Sequence, residues 1–279
     1  MKSEFIQIGV FFLIGFVVEA LTIADEANTA GNVGFNVLWA ILRTLFDGTV
    51  GGVITLWLAI KLSSHFFPLF PMSRIAWAMP AAFLALVARD FFYYWFHRLQ
   101  HWSSWLWAEH ELHHSDEHMN VTTALRHHWL ETPLEAALVT IPTAILFGDP
   151  RISLASYVLT RASGNFIHLN SRINLGLLFG SPAVHRVHHS KLPEHIDKNF
   201  AAVFPLWDFI FGTYCKPPKS APPTGLASGE TVYSIPYALV MPFAKWRKMI
   251  RPVQNGPTSL CGIAEDTVVA GPNATSLTQ

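Results

Sequence analysis

Three things are scarce or missing in this 279-residue chain, and each absence closes off a class of chemistry. There are two cysteines, Cys215 and Cys261, far apart and in no C-x-x-C pair. That excludes a thiolate zinc site and a cysteine-held iron–sulfur cluster within the chain. Charged residues are only 14% of the sequence and cancel to a formal net charge of zero, so nothing points to nucleic acid or another polyanion as partner. No G-x-G-x-x-G stretch and no haem- or flavin-binding motif occurs, and no repeat of solenoid length. Any electrons the protein uses therefore come from outside the chain.

Hydrophobic residues take the place of the missing charge. They make up 51% of the chain, mean hydropathy is +0.31, and an average soluble domain has about 25% charged residues. The composition predicts an all-α, integral membrane helical bundle. Residues 5–23, "FIQIGVFFLIGFVVEALTI", are long enough for a first span, although Glu19 sits inside. Lys2 is the only basic residue ahead of them and no clear cleavage site follows, which favours a retained helix over a signal peptide. Residues 35–46, interrupted by Arg43, read as interfacial, and residues 50–67 and 75–96 as further spans, the latter carrying Arg89 and Asp90. The shorter runs 133–147 and 152–168, separated by "GDP", read as a membrane hairpin that returns the chain to the face it left. This divides the chain into N-terminal membrane helices and loops (1–74), a catalytic segment (75–215) and a C-terminal segment (216–279) with a disordered tail from about residue 255. Lys and Arg gather near the histidines and the C-terminus (Arg98, Arg126, Arg186, Lys191, Lys198, Arg247, Lys248), which predicts that both face the cytoplasm.

The histidines carry the chemistry. Thirteen of the 14 lie between His97 and His195. Three clusters have helical spacing. His97 and His101 are four apart in "HRLQH"; His110, His113 and His114 in "HELHH", and His185, His188 and His189 in "HRVHH", fall at i, i+3 and i+4. Such spacing puts each cluster on one helical face. Ser181 and Pro182 read as the N-cap and first residue of the helix that carries the last triplet. Eight imidazoles exceed what one tetrahedral zinc can use, so the sequence is equipped for two metal ions. His168 in "NFIHLN", at the end of the hairpin, and His128 in "RHHWLE" are further candidate ligands, while His65, His118, His127 and His195 read as ordinary surface or core histidines. Asp90, two turns before His97, with Asp197 and Asn199, are candidate partners for the outward N–H of ligating rings. Imidazole suits Fe, Zn, Cu or Ni. Two ions among many neutral ligands beside a lipid-accessible interior suit oxygen activation by iron, with zinc as a substitute.

In this order, "HRLQH", "HELHH" and "HRVHH" resemble the histidine boxes of the fatty acid hydroxylase and sterol desaturase superfamily. The likeness extends through "RDFFYYWFHR", "NVTTALRHHWLE", "FIHLN" and "HIDKNFAAVFPLWDFIFGTY", covering roughly residues 85–215. Within it, "NVTTALR" and "IDKNFAAVFPLWDFIFGTY" look most like the alkylglycerol monooxygenase branch and its bacterial relatives. One departure is Trp129, where many members have proline. The resemblance implies a membrane-bound, non-haem di-iron oxidoreductase. It would use O2 and an external reductase, ferredoxin or cytochrome to hydroxylate or desaturate a C–H bond of a fatty acyl, alkylglycerol or sterol-like lipid. Its ligands would be His97, His101, His110, His113, His114, His185, His188 and His189, with His168 as the later family histidine. The rival readings are a histidine-rich metal carrier or buffer and a histidine-zinc hydrolase. Against the carrier, the histidines group where the expected spans end instead of lining a path through them.

Overall fold

A computed structural model describes residues 13–22, 30–47, 78–147 and 150–250, together with residues 49, 53 and 57. Among the described residues the regular elements are all helical, as expected, with one isolated bridge between Ser190 and Thr224. The expected tail from residue 255 and most of the expected span at 50–67 lie outside the described residues.

Helix α1 (Ala30–Phe46) precedes the central α2 (Ala78–Trp102) and the shorter α3 (Ser104–His114). Ser103, between the last two, takes an extended conformation (φ −94°, ψ 116°) that ends α2 and turns the axis. The consequence is direct: His97 and His110 come within 3.0 Å, and His101 and His114 within 3.2 Å. Residues thirteen apart on an unbroken helix would stand about 20 Å apart. After a 3-10 turn at Val121–Leu125, a helix runs through α4 (Glu131–Glu135), a π turn at Ala136–Thr140 and α5 (Ile141–Phe147). Helix α6 (Pro150–Ile167) returns along α2. Then follow α7 (Pro182–His188), α8 (Leu206–Ile210) and α9 (Ile235–Ile250). Ser181 and Pro182 begin α7 as the sequence predicts.

The expected membrane spans need correction. Among the described residues, no helix is long and apolar enough to cross a membrane. Helix α2 is long enough in residues, but Arg89 and Asp90 are fully buried in its middle. Arg89 pairs with Glu135 at 2.6 Å, and Asp90 accepts the backbone N–H groups of Val203 (2.9 Å) and Phe204 (2.8 Å). The hairpin is likewise a run of short helical pieces followed by α6, which carries Arg151 and Arg161. Part of this apolar content packs protein against protein: Ala81, Ala85, Phe147 and Ile152 form one cluster, and Leu86, Ile167, Ala202 and Val203 another. Glu19, expected inside the first span, is buried and accepts the N–H groups of Val121 (2.6 Å) and Asn170 (2.8 Å).

The N- and C-terminal parts share a core with the histidine helices. Phe35 and Trp39 of α1 pack with Leu112 of α3 and with Val232, Ala238 and Met241. Arg126, fully buried, joins the same three regions. Its guanidinium donates to Asn36 (3.0 Å), Ser115 (3.0 Å) and the carbonyls of Leu112 (3.2 Å) and Val232, and it lies over the rings of Phe35 and Tyr233. Removing a buried charge that closes several acceptors costs about 3–5 kcal/mol. Arg126→Leu is therefore expected to lower unfolding stability by about that amount, read by denaturant unfolding in detergent. An unchanged midpoint would show that the hub contributes nothing.

Candidate metal centre

All nine histidines of the three boxes and "FIHLN" converge in the interior. They form two groups, His97, His101, His110, His114 and His188 in one, and His113, His168, His185 and His189 in the other; within each, one nitrogen per ring lies within 4.8 Å of the rest. Helix α2 contributes the first pair, α3 the second set, the end of α6 delivers His168, and α7 with its C-cap supplies the last three.

The geometry is that of ligands. Nε2 atoms approach at 3.0 Å (His97–His110), 3.2 Å (His101–His114), 3.0 Å (His113–His168) and 3.1 Å (His168–His185). Two nitrogens about 2.1 Å from one ion, at roughly 90–110° to one another, are about 3.0–3.4 Å apart. Hydrogen bonding between the rings does not account for the pattern. His168 Nδ1 donates to the carbonyl of Gly164, leaving Nε2 with a single lone pair that faces two other Nε2 atoms at once. Elsewhere in the groups, His188 Nε2 and both nitrogens of His189 are buried with no hydrogen-bond partner. Unpartnered buried nitrogens at His188 and His189, beside Nε2 pairs too close for one lone pair to serve, fit metal ions.

Outer contacts fix the tautomers. His97 Nδ1 donates to the carbonyl of Phe200 (2.8 Å) and His188 Nδ1 to that of Lys198 (2.7 Å), so Nε2 of each is the bare nitrogen. Burial, and after it the crowding of neighbouring rings, holds His97, His113, His114, His185, His188 and His189 well below the usual imidazole range. Burial lowers His101 to about 4. The rings are thus neutral at pH 7, the form that binds metal.

Of the three expected outer residues, only Asp197 touches a ring: its carboxylate lies 3.3 Å from His101 Nδ1, and its side chain is 62% exposed. Asp90 and Asn199 act through the backbone. Asp90 holds the N–H groups of Val203 and Phe204, three and four residues after the Phe200 carbonyl that orients His97. Asn199, at φ 56°, donates to the carbonyls of Val184 (3.0 Å) and Cys215 (2.8 Å), tying this segment to α7. Asp208, absent from the sequence-based candidates, completes the clamp by accepting from Phe200 (2.7 Å), Ala201 (2.9 Å) and Thr213 (2.7 Å). A Cβ at Gly180 would run into the carbonyl oxygen of Ala202, so glycine is required where the strap passes.

Of the adjacent pair at 127 and 128, His127 and not the expected His128 joins a cluster of possible metal ligands, with His110 and Glu131. His128 lies outside both groups, its Nε2 3.3 Å from the Leu239 carbonyl and its Nδ1 accepting from Leu130 N–H (3.2 Å). His127 instead stacks on His113 with ring centroids 4.0 Å apart and donates to Glu131 (2.8 Å), whose carboxylate also stands 3.6 Å from His110 Nδ1. Burial alone would raise the Glu131 carboxyl, but the rings of His127 and His110 hold it well below the usual range. Sequence reasoning missed Glu131; the i, i+4 pair His127–Glu131 in "HHWLE" was its signal. His118 and His195 lie outside the groups, the latter bonded to Ser190 Oγ (2.9 Å), and His65 is outside the described residues.

Comparison with known proteins bears on this arrangement. The sequence model of the fatty acid hydroxylase family matches residues 82–213. The ornithine lipid hydroxylase OlsE of Rhizobium tropici is 31% identical over 236 residues, 82% of this chain and 68% of that protein. The chain belongs to the fatty acid hydroxylase family. Within the family, human alkylglycerol monooxygenase is 38% identical over 141 residues, and the plant protein CER1-like 1 of Arabidopsis thaliana is 30% identical over 188. These alignments cover 50% and 61% of this chain, and the chain spans only about a third of either relative, 31% and 29% of their lengths. The expected kinship with the alkylglycerol monooxygenase branch is borne out. No solved structure matches.

Two groups of converging nitrogens lead to a stoichiometric expectation. Purified chain loaded with Fe(II) or Zn(II) should hold about two ions by plasma mass spectrometry. His113→Ala and His188→Ala should each lower that figure, whereas His128→Ala and His118→Ala should leave it unchanged. Loss of metal in His128→Ala would sink the division between nine ligands and the histidines outside both groups.

Proposed function

We propose that this chain is a di-iron, O2-dependent oxidoreductase that hydroxylates a C–H bond of a lipid, or desaturates it by a second hydrogen abstraction. The observation that carries the proposal is the pair of buried, all-imidazole groups built from nine histidines. The family membership supports it, as do relatives named for alkylglycerol and ornithine lipid oxidation. Iron ions bound there would supply O2 activation and a two-electron oxidation. In hydroxylation one oxygen atom would enter the substrate and the other leave as water; in desaturation both would leave as water. Either outcome takes two electrons from an external reductase, ferredoxin or cytochrome and two protons from solvent. The ligand set proposed is His97, His101, His110, His114 and His188 for one ion and His113, His168, His185 and His189 for the other, with zinc able to substitute. The catalytic unit is residues 75–215, buttressed by α1 and α9.

The protein's own part is to hold the neutral rings rigidly, exclude water and present an apolar bed for the substrate. An apolar groove of about 420 Å³ lined by Leu84, Val87, Phe91, Phe92, Leu146 and Trp207 supports a lipid substrate. Exposed side chains support contact with a bilayer, among them Leu21 (80%), Met79 (85%) and Phe83 (57%), in numbers unusual for a soluble surface. The basic residues near the C-terminus support a cytoplasmic histidine face under this proposal.

The test is turnover in liposomes. Iron-loaded protein, a reductant and heavy-isotope O2 are supplied with a panel of fatty acyl, alkylglycerol, sterol and aminolipid candidates. The expected product is an alcohol carrying one isotopic oxygen atom, or an alkene two hydrogens lighter with the isotope in water, and His185→Ala makes neither. Iron-replete protein that oxidises nothing but moves metal across the vesicle wall would overturn the reading in favour of a carrier.

A further inference from the structure

A cavity of about 300 Å³ opens beside the four-ring group and reaches it at His168 and His185. Unlike the apolar groove, this cavity has charged walls. Three guanidiniums stand in or behind its lining, those of Arg43, Arg89 and Arg161, against two carboxylates, Asp47 and Glu135. Arg43 pairs with Asp47 at 3.2 Å, and Arg89 closes on one oxygen of Glu135 at 2.6 Å. Arg161 donates through Nε to the Tyr157 hydroxyl (3.3 Å) and forms a longer ion pair, 3.7 Å, with the other Glu135 oxygen; its side chain is 39% exposed. Two guanidiniums thus share the one Glu135 carboxylate, which leaves a surplus positive charge on this group, and Arg161 is its exposed member.

The same helical face leads from Arg161 to the metal ligands. Arg161, Gly164 and His168 all line the cavity, at i, i+3 and i+7 of α6 and its end. Gly164 is the gap between them: a Cβ built there meets nothing within 4 Å. Seven residues at about 1.5 Å rise put Arg161 about 10 Å from His168 along the axis.

We infer that Arg161 holds the anionic group of a lipid headgroup, phosphate or carboxylate, and that the substrate passes over Gly164 to present a carbon near that headgroup to His168 and His185. This rests on the lipid oxidoreductase reading and narrows it to lipids whose polar end is anionic or zwitterionic. Guanidinium is suited to either anion through paired N–H donors. A cavity of about 300 Å³ is at the small end for ligand sites, enough for a headgroup and its first carbons. An extended chain advances about 1.1–1.2 Å per bond, so the oxidised carbon lies within about nine bonds of the anionic group.

The experiment reads binding, with turnover as a separate arm. The full-length, metal-loaded chain in neutral detergent is titrated with dodecyl phosphate, with uncharged dodecylglycerol and with inorganic phosphate. The phosphate amphiphile is expected to bind about tenfold or more tighter than the glycerol one. Arg161→Gln should erase that preference and Arg161→Lys keep part of it. Gly164→Leu, which fills the gap while favouring the helix, should weaken both amphiphiles with metal content unchanged. Equal affinity of wild type for the two amphiphiles, or a preference that survives Arg161→Gln, overturns the inference. Inorganic phosphate binding as tightly as dodecyl phosphate overturns the headgroup assignment in favour of a soluble anion. Should Arg161→Gln lose its metal, Gly164→Leu decides, since unchanged amphiphile binding there also overturns it. If no lipid is oxidised while these affinities hold, the hydroxylase reading fails and the binding site stands. If oxygen enters a lipid beyond about nine bonds from its anionic group, the hydroxylase reading stands and this inference fails.

Discussion

Nine imidazoles facing one another in the interior impose the constraint that the rest of the structure answers to. A neutral ring offers one acceptor nitrogen and one N–H. With the acceptor pointing inward the N–H faces outward, where a buried polar group left unpaired costs about 1–3 kcal/mol; His97, His168 and His188 meet a carbonyl there. Helical backbone cannot readily supply those outer acceptors, since its carbonyls are already engaged within the helix. His168 meets the need with the Gly164 carbonyl only because α6 ends at Ile167. His97 and His188 take carbonyls from the irregular segment after α7, at Phe200 and Lys198.

That segment explains much of the buried polarity around the centre. Irregular backbone that aims carbonyls at rings has its own N–H groups to satisfy, and Asp90 and Asp208 satisfy four of them at Val203, Phe204, Phe200 and Ala201. Asp197 and Asn199 both adopt positive φ, where Asn and Asp are tolerated better than most residues. The carboxylate in the middle of α2 is thus a clamp on the strap that orients His97. A buried carboxyl in an apolar helix, raised by burial to about 7, is explained by what it does far along the chain, where it holds the backbone that aims a carbonyl at a ring.

The parts of this arrangement legible from sequence were those encoded by period. The i, i+3 and i+4 spacing of "HELHH" and "HRVHH" specifies a shared face once a helix forms, and Ser181–Pro182 marks where one begins. The choice between His127 and His128 was not encoded locally. It is made by α1, where Trp39 Nε1 donates to the His127 carbonyl (2.8 Å), and by Leu239 of α9, which engages His128. Both lie outside residues 85–215, the stretch that carries the likeness to the histidine-box family. Hydrophobic runs misled for a related reason: apolarity measures burial, and Ala81, Ala85 and Leu86 of α2 are buried by Phe147, Ile152 and Ile167, which no count along the sequence can tell from burial by lipid.

The two ring groups differ in what they border. His168 and His185 line the charged cavity, so the four-ring group has internal space beside it. The five-ring group nears solvent at His101, whose ring is 7% exposed and lies against the exposed carboxylate of Asp197. Trp107 covers the same side, 4.9 Å from the His101 ring and 5.2 Å from that of His114. Under the proposed function such a centre would need one approach for a bulky lipid and another for electrons. The cavity at one group and the thin wall at the other would supply them. The left-handed aspartate at 197 then has a purpose beyond orienting one ring, because it holds His101 in place one side chain from the surface.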